Sequence, residues 1–118
     1  MNRAANTRDL EVFKREFTKY QELFGLTGIT VHFKFESVDG AYACLNLKYR
    51  DMVAEVILNS DPVNWSTRRG GIRGAARHEA IHLLLMRLEG EAMYRHATEN
   101  SIYEAVEETV HRLENVIP

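Results

Sequence analysis

The sequence predicts a single α+β domain over residues 1–118, with helices packed on a small three-stranded antiparallel sheet. Three observations predict it. A stretch with three- and four-residue apolar spacing opens the chain. Three short alternating stretches separated by turn signals follow. Two more helical stretches close it, giving the order α-β-β-β-α-α. The length of 118 residues suits one modest core, and 45% hydrophobic with 27% charged residues is ordinary for a globular chain.

The first helix is read over residues 7–24. Leu10, Phe13, Phe17, Tyr20 and Phe24 fall on one face, Asn6 or Thr7 caps the start, and Gly25 ends it. The strands are read over Ile29–Glu36, Ala41–Tyr49 and Met52–Leu58. Asp39-Gly40 and Arg50-Asp51 supply the two turns, and such short connections predict a meander. Residues 59–72, with Pro62, Trp65, Gly70 and Gly71, form a loop. A helix apolar nearly all round runs from about Gly74 to Glu89 and stops at Gly90. The last helix runs from about Asn100 to Val116, with Ile102, Val106, Thr109, Val110, Leu113 and Ile117 as its apolar stripe.

The central helix carries the chemistry. His78-Glu79-Ala80-Ile81-His82 reads H-E-x-x-H. Histidines four apart lie one turn apart on one face, so both imidazoles address one metal ion. Glu79 lies about 100° around the helix, where it reaches a metal-bound water rather than the metal. With 5 His and 13 Glu in 118 residues, chance yields roughly 0.02 such matches per chain. The pattern therefore predicts a Zn²⁺ site and peptide hydrolysis, with Glu79 as general base. The same residues as ordinary helix surface are the bland alternative, and a structural zinc in a non-catalytic interaction module is another.

A catalytic zinc takes three protein ligands and keeps an open position. His78 and His82 supply two, and the last helix offers Glu104, Glu107 and Glu108. Here the chain resembles a minimal zincin of the gluzincin type. In the thermolysin branch of that group a glutamate followed by alanine is the third ligand, and an acid four residues later orients a ligand histidine. Ile102-Tyr103-Glu104-Ala105-Val106-Glu107-Glu108 matches this with Glu104 as ligand and Glu108 as the orienting acid. Over its whole length the chain is similar to small single-domain metallopeptidases encoded in phage genomes. The resemblance implies a protein or peptide substrate that pairs with an edge strand above the motif helix, and Met52–Leu58 is the expected strand. Glu107, Glu108 or His96 remain alternatives for the third ligand, and Ser101-Ile102-Tyr103-Glu104 also reads as a capping box that would occupy Glu104.

His32 and His111 read as surface histidines, and Tyr94 and Tyr103 as packing residues or oxyanion donors. The net charge of −2 exerts no general pull toward nucleic acid or anionic membrane. Locally, Arg68, Arg69, Arg73 and Arg77 form a basic loop, which is either solvated or a nucleic-acid contact. No apolar run approaches membrane-spanning length. The first residues lack an apolar leader, and Cys44 has no partner for a disulfide, so a cytoplasmic protein is expected.

Overall fold

The computed structural model describes residues 1–114 and residue 116. Helix α1 (Thr7–Leu23) leads into strands β1 (Thr30–Glu36), β2 (Ala43–Lys48) and β3 (Val53–Asn59), then helices α2 (Gly71–Leu84), α3 (Met86–Met93) and α4 (Glu99–Glu114). Short 3-10 turns cover Tyr49–Asp51 and Trp65–Thr67. The class is α+β, as expected. Asn6 caps α1 through a reciprocal capping box with Asp9, in which each side chain accepts the other's backbone N–H.

The sheet is mixed, not an antiparallel meander. Its order is β1-β3-β2, with β1 parallel and β2 antiparallel to β3. Met52–Leu58 therefore falls in the central strand and is not an edge. The reason lies in composition: β3 is a nearly continuous apolar run buried on both faces, whereas β1 and β2 alternate with polar residues. Asp39-Gly40 accordingly belongs to a link that crosses the end of β3. Buried Asn59 fastens that link. Its amide donates to the carbonyls of Val38 and Ala41, and its carbonyl accepts from the Val38 and Asp61 backbones.

Register places Val31, Phe33, Phe35, Ala43, Leu45, Leu47, Ala54, Val56 and Leu58 on one sheet face. Helix α1 covers the β1 side, with Phe13 and Phe17 edge-on to Phe33 at 6.4 and 5.5 Å. Helix α2 lies beside α1 and covers β2. The opposite face carries His32, Lys34 and Glu55, and Lys34 pairs with Glu55 at 3.2 Å.

The motif helix differs from expectation at both ends. It starts at Gly71, and it stops at Leu84 rather than Glu89. Leu85 ends α2, and its N–H turns to the Ile81 and Leu83 carbonyls. Leu83, Leu84 and, beyond the break, Met86 all reach the core. Gly90 is then an interior residue of α3.

Helix α4 packs on α3. Ala105 and Thr109 are buried, but Ile102, Val106 and Val110 keep 37%, 38% and 47% of their surface. Ile117, expected in that stripe, lies outside the described residues. None of the described helices is long and apolar enough to cross a membrane.

Candidate metal and catalytic site

Two glycine features aim the motif. Gly70 and Gly71 take left-handed backbone conformations at the start of α2. At Gly74 a Cβ would stand 2.3 Å from the Arg69 carbonyl oxygen, so only glycine lets residues 68–70 fold back onto the helix. The Tyr42 hydroxyl donates to the Asn64 carbonyl and meets the Thr67 hydroxyl, and the Tyr42 ring packs against Trp65 at 4.9 Å. The amino end of α2 is thereby held against the residues that lead into β2.

From this anchored helix His78 and His82 point together. Their Nε2 atoms stand 3.2 Å apart and their ring centroids 4.8 Å apart. Two nitrogens each about 2.0–2.1 Å from one tetrahedral zinc are about 3.3 Å apart. The pair thus fits as two ligands of a single ion. Burial, then repulsion from His82 and Arg68, holds the His78 pKa below its ordinary value. The imidazole is therefore neutral at neutral pH, the form that binds metal.

Glu79 is only 6% exposed, and no described side chain hydrogen-bonds to it. Burial pushes its carboxyl up, partly offset by His82 and Arg68. It faces a groove of about 680 Å³ shared with His78 and His82. One wall is β2, one of the two edge strands; the other is α2 and α3, which present Met86, Glu89 and Met93. Met86, Met93 and Glu89 were not assigned to the site from sequence. Their signal was present in the spacing: Glu89 lies seven residues, two turns, after His82.

The acids of α4 are arranged differently from the expected pattern. Glu104 is exposed on α4, and among the described residues no third His, Cys, Asp or Glu joins His78 and His82 in a group able to hold a metal. The capping role for Glu104 is also absent. Thr98 and Ser101 cap α4 reciprocally, each side chain accepting the other's N–H. Glu108 does not orient a histidine. Its carboxylate accepts from Arg87 and Arg112, and Arg112 also donates to the carbonyls of Phe24 and Gly25 that end α1. Burial pushes the Glu108 carboxyl up, but the two arginines outweigh it and hold it below the ordinary range. The cause is local: arginines at positions 87 and 112 meet Glu108 before any histidine does.

Glu107 lies 3.9 Å from His111. His32, His96 and His111 are all exposed, and His96 accepts from Arg95. Tyr94 and Tyr103 are exposed rather than packed in the core, and Tyr94 lies against His96 and Arg50. The four arginines diverge. Arg68 donates to the Arg69 and Gly74 carbonyls beside the groove, Arg73 pairs with Glu16 at 3.6 Å, and Arg69 and Arg77 are exposed. Cys44 lies on β2 at the groove wall, where burial and then Glu79 and Glu36 raise its thiol pKa and keep it protonated. Compared with family models, curated proteins and solved structures, the chain matches none.

Proposed function

We propose that the chain is a zinc-dependent peptidase of minimal zincin type. The observation that carries this reading is the convergence of His78 and His82 at 3.2 Å beside Glu79, a largely buried residue to which no described side chain hydrogen-bonds. A zinc ion held by the two imidazoles supplies a Lewis acid that polarises a carbonyl and lowers the pKa of water toward about 7.

The chain's own residues account for the remaining steps. Glu79 accepts a proton from the attacking water and returns it to the leaving amine. Its raised proton affinity suits both halves of that transfer. The outer edge of β2 offers backbone donors and acceptors to an extended peptide, which makes Ala43–Lys48 the substrate strand in place of Met52–Leu58. The low exposure of Glu79 places it in a less polar setting than open solvent, which favours its holding a proton.

Two carboxylates compete to be the third ligand. Glu104 carries the gluzincin resemblance, and Glu89 stands on the groove wall. Alanine at the true ligand lowers zinc affinity severely, whereas alanine at the other leaves it within about twofold, because an exposed carboxylate outside the site contributes little. We also propose a reducing, cytoplasmic setting, on the strength of the single free Cys44.

Glu79→Gln tests the reading. The amide is nearly isosteric and accepts no proton at neutral pH. Zinc uptake is expected to persist while cleavage of an unfolded protein such as casein falls by at least about 10²-fold, the usual share of general-base catalysis. Cleavage at the wild-type rate would remove Glu79 as the base.

A further inference from the structure

The groove has a second arm. A cavity of about 370 Å³ continues past His78 and Glu79 on the side away from His82, Met86 and Met93. Tyr42 lines it together with four small residues, Gly40, Ala41, Ala43 and Ala75. The small residues leave room for an incoming side chain. Among the described residues that line it, Arg68 is the cation and Glu79 the acid.

Arg68 is held in an unusual way. One guanidinium nitrogen donates to the Arg69 carbonyl at 2.6 Å and another to the Gly74 carbonyl at 2.9 Å. No described carboxylate pairs with it. Carbonyls fix the fork without carrying a formal charge, and Glu79 feels the guanidinium across the cavity without hydrogen-bonding to it, so the usual rotamer cost of engaging an anion is already met. The tight approach at Gly74 and the Tyr42–Thr67 contact hold the backbone beneath it. The opposite arm is different in kind: Leu45, Leu47, Met86 and Met93 line it, and its charged residue is the acid Glu89.

We propose that Arg68 receives an acidic side chain of an extended peptide, so that ligands carry Asp or Glu on the Arg68 side of the central bond and an apolar residue on the Met86–Met93 side. This rests on the peptide-binding reading of the groove. The purely structural alternative is that Arg68 only staples residues 68–74 to the head of α2.

Zinc-loaded Glu79→Gln protein, immobilised and unable to turn over, is offered two pools of capped nonapeptides. The pools differ only in Glu or Lys at the central position, among randomised uncharged residues. Retention is read by mass spectrometry. The Glu pool is expected to be held at least about tenfold more strongly, the yield of one charge-assisted contact. Adding Arg68→Gln, which keeps a donor for the carbonyls but no charge, is expected to abolish the preference. Adding Arg68→Lys, which keeps charge but not the planar fork, retains most of it. Equal retention of the two pools would overturn the proposal. So would a Glu preference that Arg68→Gln leaves intact, or stronger retention of a dT20 oligonucleotide than of the Glu pool. Cleavage of neither pool by wild-type protein would remove the hydrolytic reading while leaving this one to stand on retention.

Discussion

Helices α1 and α4 carry the same kind of amphipathic pattern and meet different fates. In α1, Phe13 and Phe17 are fully buried against Phe33 and the sheet. In α4, Ile102, Val106 and Val110 stay partly exposed, and the ties are polar: the Thr98–Ser101 cap, Glu108 with Arg87 and Arg112, and Arg112 on the end of α1. Spacing predicts that a helix forms; what lies opposite decides how deeply it is buried. The groove sits between these halves. Its motif helix belongs to the α1 side, and its far wall leads through α3 to α4.

Breaking the apolar half should cost most. Phe17→Ala removes a fully buried ring and is expected to destabilise the fold by about 3–5 kcal/mol in urea unfolding. A loss below about 1 kcal/mol would mean that α1 is not the foundation of the core. Gly74→Ala comes next, at about 1–3 kcal/mol, because the methyl must displace the Arg69 carbonyl. It should also weaken zinc binding if the head of α2 aims the histidines.

The polar half should respond to pH instead. The Glu108 carboxyl is held below its ordinary 4.5 in the folded state. Its contribution is therefore present above that value and is lost as pH falls through the lowered folded value. Glu108→Gln is expected to cost about 1 kcal/mol at pH 7 and close to nothing at acid pH, while the Phe17→Ala loss does not depend on this group. A Glu108→Gln cost that is the same at both pH values would contradict the ion-pair account. Smallest of all, Val106→Ser on the exposed side of α4 should fall within about 0.5 kcal/mol. A larger loss would reveal that this face is covered in solution.

The sequence made the helices, the strands and the place of H-E-x-x-H legible, because each depends on local periodicity. Sheet order was harder to read. A six-residue link after β1 serves a hairpin or a crossing equally well, and the deciding signal was the nearly continuous apolar run of β3, interrupted only by Glu55 before Asn59, rather than the Asp39-Gly40 turn. The break at Leu85 was hidden too, since three consecutive leucines followed by Met86-Arg87-Leu88-Glu89 fit one longer helix equally well. At the site, His78, Glu79 and His82 come together as their spacing requires. Glu108 does not follow its expected role, because Arg87 and Arg112, distant in sequence from one another, both reach it first.

The central claim is that His78 and His82 hold a zinc ion beside Glu79. Calorimetric zinc titration of chelator-treated protein tests it most directly, with wild type, His82→Ala and Glu79→Gln run side by side. The account predicts one saturable site per chain in wild type and in Glu79→Gln, and its loss in His82→Ala. Absence of saturable uptake by the wild type, or uptake undiminished by His82→Ala, would contradict it.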